Sequence, residues 1–502
     1  MKKTVLALLL FATAVSTFGQ TAFRLRNRVI RIPSHSGEWL QFDADPEQDE
    51  SQDMNLVLPD IANVHRMWKT DLPETVDGSP VYVPNVRLAG GSLHDLLIVT
   101  TMIGRTVAAD ALTGEILWST TPPPGPRWTT SSPAVAPERD VVYSYGLDGR
   151  VHCYRLRDGE EVTGNGWPQL ITHKGSVEKV SSALTIVTTK ENQSYLYVTT
   201  AGYPEPGDEG DYQGHLTVIN LGTGEQNVFN AACSDRAMHF VENGNASNDC
   251  AHVQSGIWGR APITYDAMSN RIFITTSNGD YDADRGGFNW GDSILALHPD
   301  GSTDDGTPLD SYTPDEYQFL QNQDLDFGST SPVILPLAKG THLPRLAVQG
   351  GKDSVLRLVN LHDLSGRGGP RHVGGELFAM PLPQRGVILT RPAVWLSPEG
   401  ETWIFVTTHR GTSGMALVVD DDGKPSLEPR WVNTIDGATP IIVGGVLYFA
   451  RNHELVALDP ESGERLWSDT SLGLIHWQSP IIVNGRIYVC DHEGHLFAYN
   501  AR

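Results

Sequence analysis

Four cysteines in 502 residues are few, and no two of them are adjacent. No Cys-x-x-Cys-His occurs, so no covalently attached c-type haem is expected. Charged residues make up only 19% of the chain, with 37 Lys and Arg against 60 Asp and Glu. At a net charge of -23, nucleic acid and an anionic membrane surface, either of which would want a basic face, are not the expected partners. A solvated acidic surface or a cationic partner fits that balance. Past the N-terminus, no apolar run reaches transmembrane length. No Gly-x-Ser-x-Gly surrounds the Ser-Pro pairs described below, so none of them is a nucleophile elbow.

The N-terminus has the pattern of an export signal. Lys2 and Lys3 form a charged start, Val5 to Val15 an apolar core too short to span a bilayer, and small residues near Gly19 and Ala22 offer cleavage sites. Residues 1–22 are therefore expected to be removed, leaving a periplasmic or secreted protein. Export permits disulfides. Cys233 and Cys250 share a stretch rich in Asn, Asp and Gly, and a bridge between them would pin that insertion. Cys153 and Cys490 lie in apolar strands and read as small buried hydrophobes.

Glycine (50) and proline (32), by contrast, are plentiful and suit many short strands joined by tight turns. Their distribution is periodic. A small residue, usually followed by Pro, opens a strand at Ser79-Pro80, Ser132-Pro133, Ser181-Ser182, Ala261-Pro262, Ser331-Pro332, Arg391-Pro392, Thr439-Pro440 and Ser479-Pro480. A β-branched and aromatic strand follows each opening, then a third strand after a turn that usually bears Gly. Openings about 40 to 80 residues apart match one four-stranded propeller blade each. The spacing predicts an all-β chain, a single eight-bladed β-propeller of four-stranded antiparallel blades over residues 65–502.

The last repeat ends at its third strand. The segment Arg66 to Leu72, around Trp68, has the look of the missing outer strand and is expected to pair with the C-terminal blade and close the ring. Residues 23–64 do not fit the repeat and form an N-terminal extension. Within it Glu47 to Asp53 is acidic and polar and reads as flexible.

The turn and outer strand Ala109-Asp110-Ala111-Leu112-Thr113-Gly114-Glu115-Ile116-Leu117-Trp118 recurs as Ala457-Leu458-Asp459-Pro460-Glu461-Ser462-Gly463-Glu464-Arg465-Leu466-Trp467. Both resemble the tryptophan docking motif of the pyrroloquinoline-quinone (PQQ) repeat. With the blade count, the chain resembles the quinoprotein alcohol dehydrogenase-like superfamily, which also includes non-catalytic scaffold propellers. For a dehydrogenase, the resemblance implies three residues near a bound PQQ and calcium. Asn278, in Thr276-Ser277-Asn278-Gly279, would hold calcium against the quinone. Lys352, in Gly350-Gly351-Lys352-Asp353, would contact the quinone. Trp258, ahead of Tyr265-Asp266, would be the aromatic floor, at a spacing slightly longer than the family's. The family's vicinal cysteine pair is absent. Its catalytic Asp has no clean counterpart, since Asp292 falls too close to a strand, and its calcium-binding Glu has no assignable position.

Three further constellations stand out. Asp280, Asp282 and Asp284 alternate directly after Asn278, a pattern that fits either a calcium loop or a solvated acidic turn. Asp491-His492-Glu493-Gly494-His495 brings two His near a carboxylate, but zinc would want a third ligand, and the stretch reads as a blade turn. Gly256–Arg260 and Gly286–Asp292 concentrate Trp, Arg and Asn, as the mouth of a central channel would. The remaining Trp residues read as packing between blades.

Two functions follow. One is an exported propeller scaffold that binds a protein or small-molecule ligand, such as a peptide or glycan, at its loop face or channel mouth. The alternative is a PQQ- and calcium-dependent dehydrogenase of an alcohol or sugar, with a carboxylate near Asn278 as base and Lys352 polarising the quinone.

Overall fold

A computed structural model describes residues 37–44, 61–203, 212–236, 250–337 and 342–500. The proposed signal segment and Glu47 to Asp53 lie outside the described residues. Eight four-stranded antiparallel sheets are present, together with a two-stranded ribbon pairing Glu178–Lys179 with Ala201–Gly202. Blade 1 is built from Val81–Arg87, Leu93–Thr100, Thr106–Asp110 and Ile116–Ser119. Its register runs Val81, Ile98, Ala108, Trp118 straight across the sheet. The middle strands are buried on both faces, because each sheet is packed between two others. The first strands of neighbouring blades touch one another, so they line the centre and the fourth strands form the rim.

The ring closes with a strand from the other end of the chain. Blade 8 contains Ile481–Val483, Arg486–Cys490 and His495–Asn500, and its rim strand is His65–Asp71, with Trp68 opposite Ala498 and Lys69 opposite Phe497. The Ser479 N–H donates to Ser79 Oγ at 3.1 Å and Tyr488 Oη–H to the Ala111 carbonyl at 3.2 Å, joining blade 8 to blade 1.

The tryptophan motif has a physical reason. In Asp110–Gly114, Asp110 Oδ1 accepts from the N–H groups of Leu112 and Thr113, and Gly114 takes a φ of 77° that only glycine adopts at little cost. The indole of the preceding blade's rim strand lies on that glycine. A Cβ on Gly114 would sit 2.7 Å from Trp68, one on Gly159 2.6 Å from Trp118, and one on Gly463 2.5 Å from Trp431. Two of these indoles also donate to a carbonyl of the same turn, Trp118 Nε1 to Leu156 at 2.8 Å and Trp431 Nε1 to Pro460 at 2.7 Å.

The opening residues form a second, inner ring. Ser79 N–H donates to Ser132 Oγ at 2.8 Å, Leu184 N–H to the Ser132 carbonyl at 2.9 Å, and Arg391 N–H to Thr439 Oγ1 at 3.4 Å. A hydroxyl here links one blade to the next. The following Pro stands just ahead of the innermost strand, where its missing N–H breaks no ladder.

Residues 37–44 belong to no blade, yet they are buried inside the ring. Trp39 exchanges backbone hydrogen bonds with Tyr82 of blade 1, and the Leu40 carbonyl accepts from Val135 N–H of blade 2. Gln41 Oε1 accepts from Ile186 N–H of blade 3 at 2.7 Å. Phe42 packs with Ala183 and Ala261, and the Asp43 carboxylate meets Arg391 of blade 6 at 2.7 Å. Eight residues that reach first strands on opposite sides of the ring fill its centre.

Cys233 and Cys250 form a disulfide, and Cys153 and Cys490 are buried thiols. Burial pushes the Cys153 thiol up to about 12 and Cys490 higher still, which suits inert packing. Among the described residues, no helix is long and apolar enough to cross a membrane.

Candidate functional site

Antiparallel order puts the turn between the second and third strands on the same face as the crossover that leads into the first strand. Asn278 and Lys352 sit on such turns, in blades 4 and 5. Trp258 and Asp326 sit on the crossovers that lead into those blades. Alternation along the strands thus delivers all four to one face.

Local contacts fix each of them. The Asn278 carbonyl accepts from Ser255 N–H at 2.7 Å. A Cβ on Gly279 would lie 2.0 Å from Ser255 Oγ, so the Asn-Gly turn can sit this close to its neighbour only with glycine. Lys352 N–H donates to the Asp326 carbonyl at 3.0 Å.

Asp326 joins the other members. Its Oδ1 accepts from the Asn278 backbone N–H at 3.0 Å, and its Oδ2 lies 2.5 Å from Lys352 Nζ. Asp324, two residues earlier, accepts from Asn278 Nδ2 at 2.9 Å and stands 4.0 Å from Lys352 Nζ. Its side chain is 86% exposed, whereas that of Asp326 is 10% exposed. Among the described residues, the buried Asn278 Oδ1 has no hydrogen-bond partner. Lys352 Nζ lies 5.4 Å from the centroid of Trp258, whose ring meets Trp477 edge-on at 6.4 Å.

Electrostatics separate the acids. Burial, with Asp326 and Asp353 nearby, pushes Asp292 well above the carboxylate range. It accepts from Phe327 N–H at 3.0 Å through Oδ1, and its Oδ2 has no partner among the described residues. Asp326 is raised by burial, which the attraction of Lys352 only partly offsets. Asp292 and Asp324 both adopt positive φ, 48° and 53°. Asp tolerates that region better than most residues, but it is sparsely populated and tends to mark functional turns.

The structure therefore brings together Asn278, Lys352 and Trp258. It adds Asp324 and Asp326, which sequence reasoning missed when it sought a catalytic Asp near Gly291-Asp292. The Asp324-Leu325-Asp326 pair on the crossover into Ser331-Pro332 was the available signal.

The alternating acids behave differently. Asp280 pairs with His252 at 2.5 Å, Asp282 accepts from Asn289 N–H at 3.0 Å and Nδ2 at 2.8 Å, and Asp284 pairs with Arg285 at 3.2 Å. Each has its own partner, and the structure does not gather the three acids on one point. Trp290, in the second Trp-rich stretch, is fully buried and donates to Ser234 Oγ. Trp258 and Arg260, in the first, do reach the centre. Arg260 lies 5.6 Å from the Phe42 ring centroid and 5.9 Å from that of Trp477.

A family model described as outer membrane protein assembly factor BamB matches residues 53–242 and 396–502. The matched segments make up more than half of the chain, and the chain belongs to this family of PQQ-repeat propellers. Asn278, Asp324, Asp326 and Lys352 all fall between the matched segments. Among solved structures, the quinohemoprotein alcohol dehydrogenase of Comamonas testosteroni is similar over 93% of this chain and 80% of that one, at 15% identity and a TM-score of 0.62. Europium-containing methanol dehydrogenase is similar over 93% and 99%, at 14% identity and a TM-score of 0.64. A quinohemoprotein alcohol dehydrogenase from Pseudomonas putida HK5 is similar over 93% and 81%, at 13% identity and a TM-score of 0.60. At such identities the likeness shows the fold. Comparison with curated proteins gives no match.

Proposed function

We propose that this PQQ-repeat propeller works outside the cytoplasm and uses its loop face to hold a hard cation and PQQ, oxidising an alcohol or a sugar. The observation that carries the reading is Asp326, which ties Asn278 and Lys352 together beside a buried Asn278 Oδ1 that has no partner among the described residues. A buried amide oxygen left unpaired costs about 1–3 kcal/mol unless something occupies it. A cation is the natural occupant. Asn278 Oδ1, Asp324 and Asp326 form an all-oxygen donor set of the kind calcium prefers.

Trp258 would supply the floor on which a planar cofactor stacks, and Lys352 the positive charge beside it. PQQ, when bound, supplies the acceptor for the two electrons and the hydrogen that leave the alcohol carbon. Asp324 is the exposed carboxylate at the mouth and would take the hydroxyl proton. Asp292 is buried beside Asp326, and its carboxyl, pushed well above the usual range, is disfavoured as a further negative charge next to Lys352 and the cation.

The test is direct. The purified protein is titrated with PQQ in calcium, and bound quinone is followed by absorbance together with dye reduction by a panel of alcohols and sugars. Saturable binding that Lys352→Ala weakens is the expected result. No binding at micromolar quinone rejects the reading.

A second reading has its own support. Met102, Trp128, Leu474 and Ile475 line a cavity on the same face, and Leu474 is 46% exposed. Such a surface suits a protein or peptide ligand of a scaffold propeller. It is the function left standing should the quinone fail to bind.

A further inference from the structure

Ring closure assembles a second cluster on the loop face, built from residues other than Asn278, Lys352, Asp324 and Asp326. Asp77 lies on the crossover into blade 1, His476 on the crossover into blade 8, and His492 on the turn between the second and third strands of blade 8. His476 Nδ1 stands 2.7 Å from Asp77 Oδ2, and His492 Nδ1 stands 3.5 Å from Asp77 Oδ1. One ligating atom from each residue lies within 4.8 Å of the other two.

Donor atoms around a tetrahedral ion with bonds of about 2.0–2.2 Å stand about 3.4 Å apart, so these separations bracket those of a bound metal. The Asp77 side chain is 1% exposed, while the two imidazoles are 48% and 33% exposed. The carboxylate forms the base of the cluster and the rings its walls. The open side faces a cavity of about 430 Å³ lined by Met102, Trp128, Asn452 and Ile475.

The support around the three residues is rigid. Gln478 is fully buried; its Nε2 donates to the Val76 carbonyl at 2.7 Å and its Oε1 accepts from His476 N–H at 2.7 Å, clamping the two crossovers together. Trp477 N–H donates to Asp77 Oδ1 at 3.3 Å, and His492 N–H to the Leu474 carbonyl at 2.8 Å. Outer partners of this kind hold metal ligands in place. Among the described residues, the buried His492 Nδ1 has no hydrogen-bond partner of good geometry.

We propose that Asp77, His476 and His492 form a binding site for a divalent transition metal, zinc by ligand type, whose open positions face the cavity and accept an oxygen- or nitrogen-donor small molecule. Two imidazole nitrogens and one carboxylate on one side of an ion leave the remaining positions free for such a ligand. Because Asp77 and His476 are 399 residues apart, the ion would also staple blade 8 to blade 1. Binding only to the closed ring makes it stabilising.

The experiment uses the untagged, metal-stripped full chain, titrated with zinc chloride by calorimetry and with cobalt chloride by visible absorption. One equivalent is expected to bind, with a Tm rise on zinc. His476→Ala and His492→Ala should each weaken binding by at least about ten-fold and abolish the Tm rise. Both rings are partly exposed, and circular dichroism checks that the variants are folded. Asn278→Ala should bind zinc as the parent does, which separates this site from the one above. No binding at about 100 μM zinc overturns the proposal, as does binding by both His variants as tight as that of the parent. Loss on His495→Ala with retention in His476→Ala overturns it too, because Asp491, Glu493 and His495 form the neighbouring cluster.

Discussion

Arg391 donates to the Asp43 carboxylate at 2.7 Å in the middle of the ring, although 348 positions separate the two residues. Both side chains are 1% exposed. A segment outside the repeat is therefore fixed to the propeller by a buried ion pair. Removing one partner of such a pair typically costs about 3–5 kcal/mol, because the other charge stays buried and uncompensated. Asp43→Ala is expected to lose stability on that scale in urea unfolding, and Asp43→Ala with Arg391→Met to recover part of it. A single-variant loss below about 1 kcal/mol removes the segment from the account of stability.

The propeller was legible because its cause is periodic. The opening pairs, the Gly turns and the rim tryptophans recur, and each has a local physical role. Trp68 could be paired with the last blade because that blade lacked a strand. The central segment was not legible, since Trp39, Phe42 and Asp43 make sense only against blades hundreds of residues away. The site was half legible. Asn278, Lys352 and Trp258 follow or precede strands at recognisable turns, whereas Asp324 and Asp326 sit on a crossover with no periodic signature. His492 was read as a blade turn lacking a third ligand, and the missing partners, Asp77 and His476, come from the far sides of the ring closure.

Gly114 isolates the docking motif in one substitution. A Cβ there would lie 2.3 Å from Thr70 Oγ1 and 2.7 Å from Trp68, in a backbone conformation that disfavours side chains. Gly114→Ala should cost about 2–4 kcal/mol, through strain and displacement of the indole that closes the ring. Gly90→Ala, where a Cβ would meet nothing within 4 Å, is the control and should be near neutral. Equal effects of the two substitutions in thermal unfolding are the outcome that denies the docking role.

His152 gives a pH dependence with a defined sign. The ring is buried between Asp148 at 3.1 Å and Glu161 at 2.7 Å. Burial lowers its affinity for a proton, but the two carboxylates outweigh burial, and its pKa is raised. A raised folded value means that the protonated ring stabilises the fold fully below the unfolded value of about 6.5 and loses that contribution as pH rises through the folded value. Asp148 runs the opposite way. Burial raises it, His152 more than offsets this, and its contribution fades as pH falls through its lowered pKa. His152→Gln should therefore destabilise most near about pH 6 and much less near about pH 9. A stability difference that stays flat across that range shows that the ion pairs are not formed.

Asp324 and Asp326 should separate cation binding from folding. Asp326 is buried and bonded to Asn278 and Lys352, so Asp326→Asn removes a charge-assisted contact and should cost about 1.5–3 kcal/mol without any added ion. Asp324 is mostly exposed, and Asp324→Asn should leave the stability of the ion-free protein nearly unchanged. If the pair holds a hard cation with Asn278 Oδ1, both substitutions nonetheless weaken calcium or terbium binding, each by at least about ten-fold, because each removes one charged oxygen donor. Terbium luminescence reads affinity and urea unfolding reads stability on the same samples. Unchanged luminescence in Asp324→Asn would confine the two acids to a structural role around Lys352.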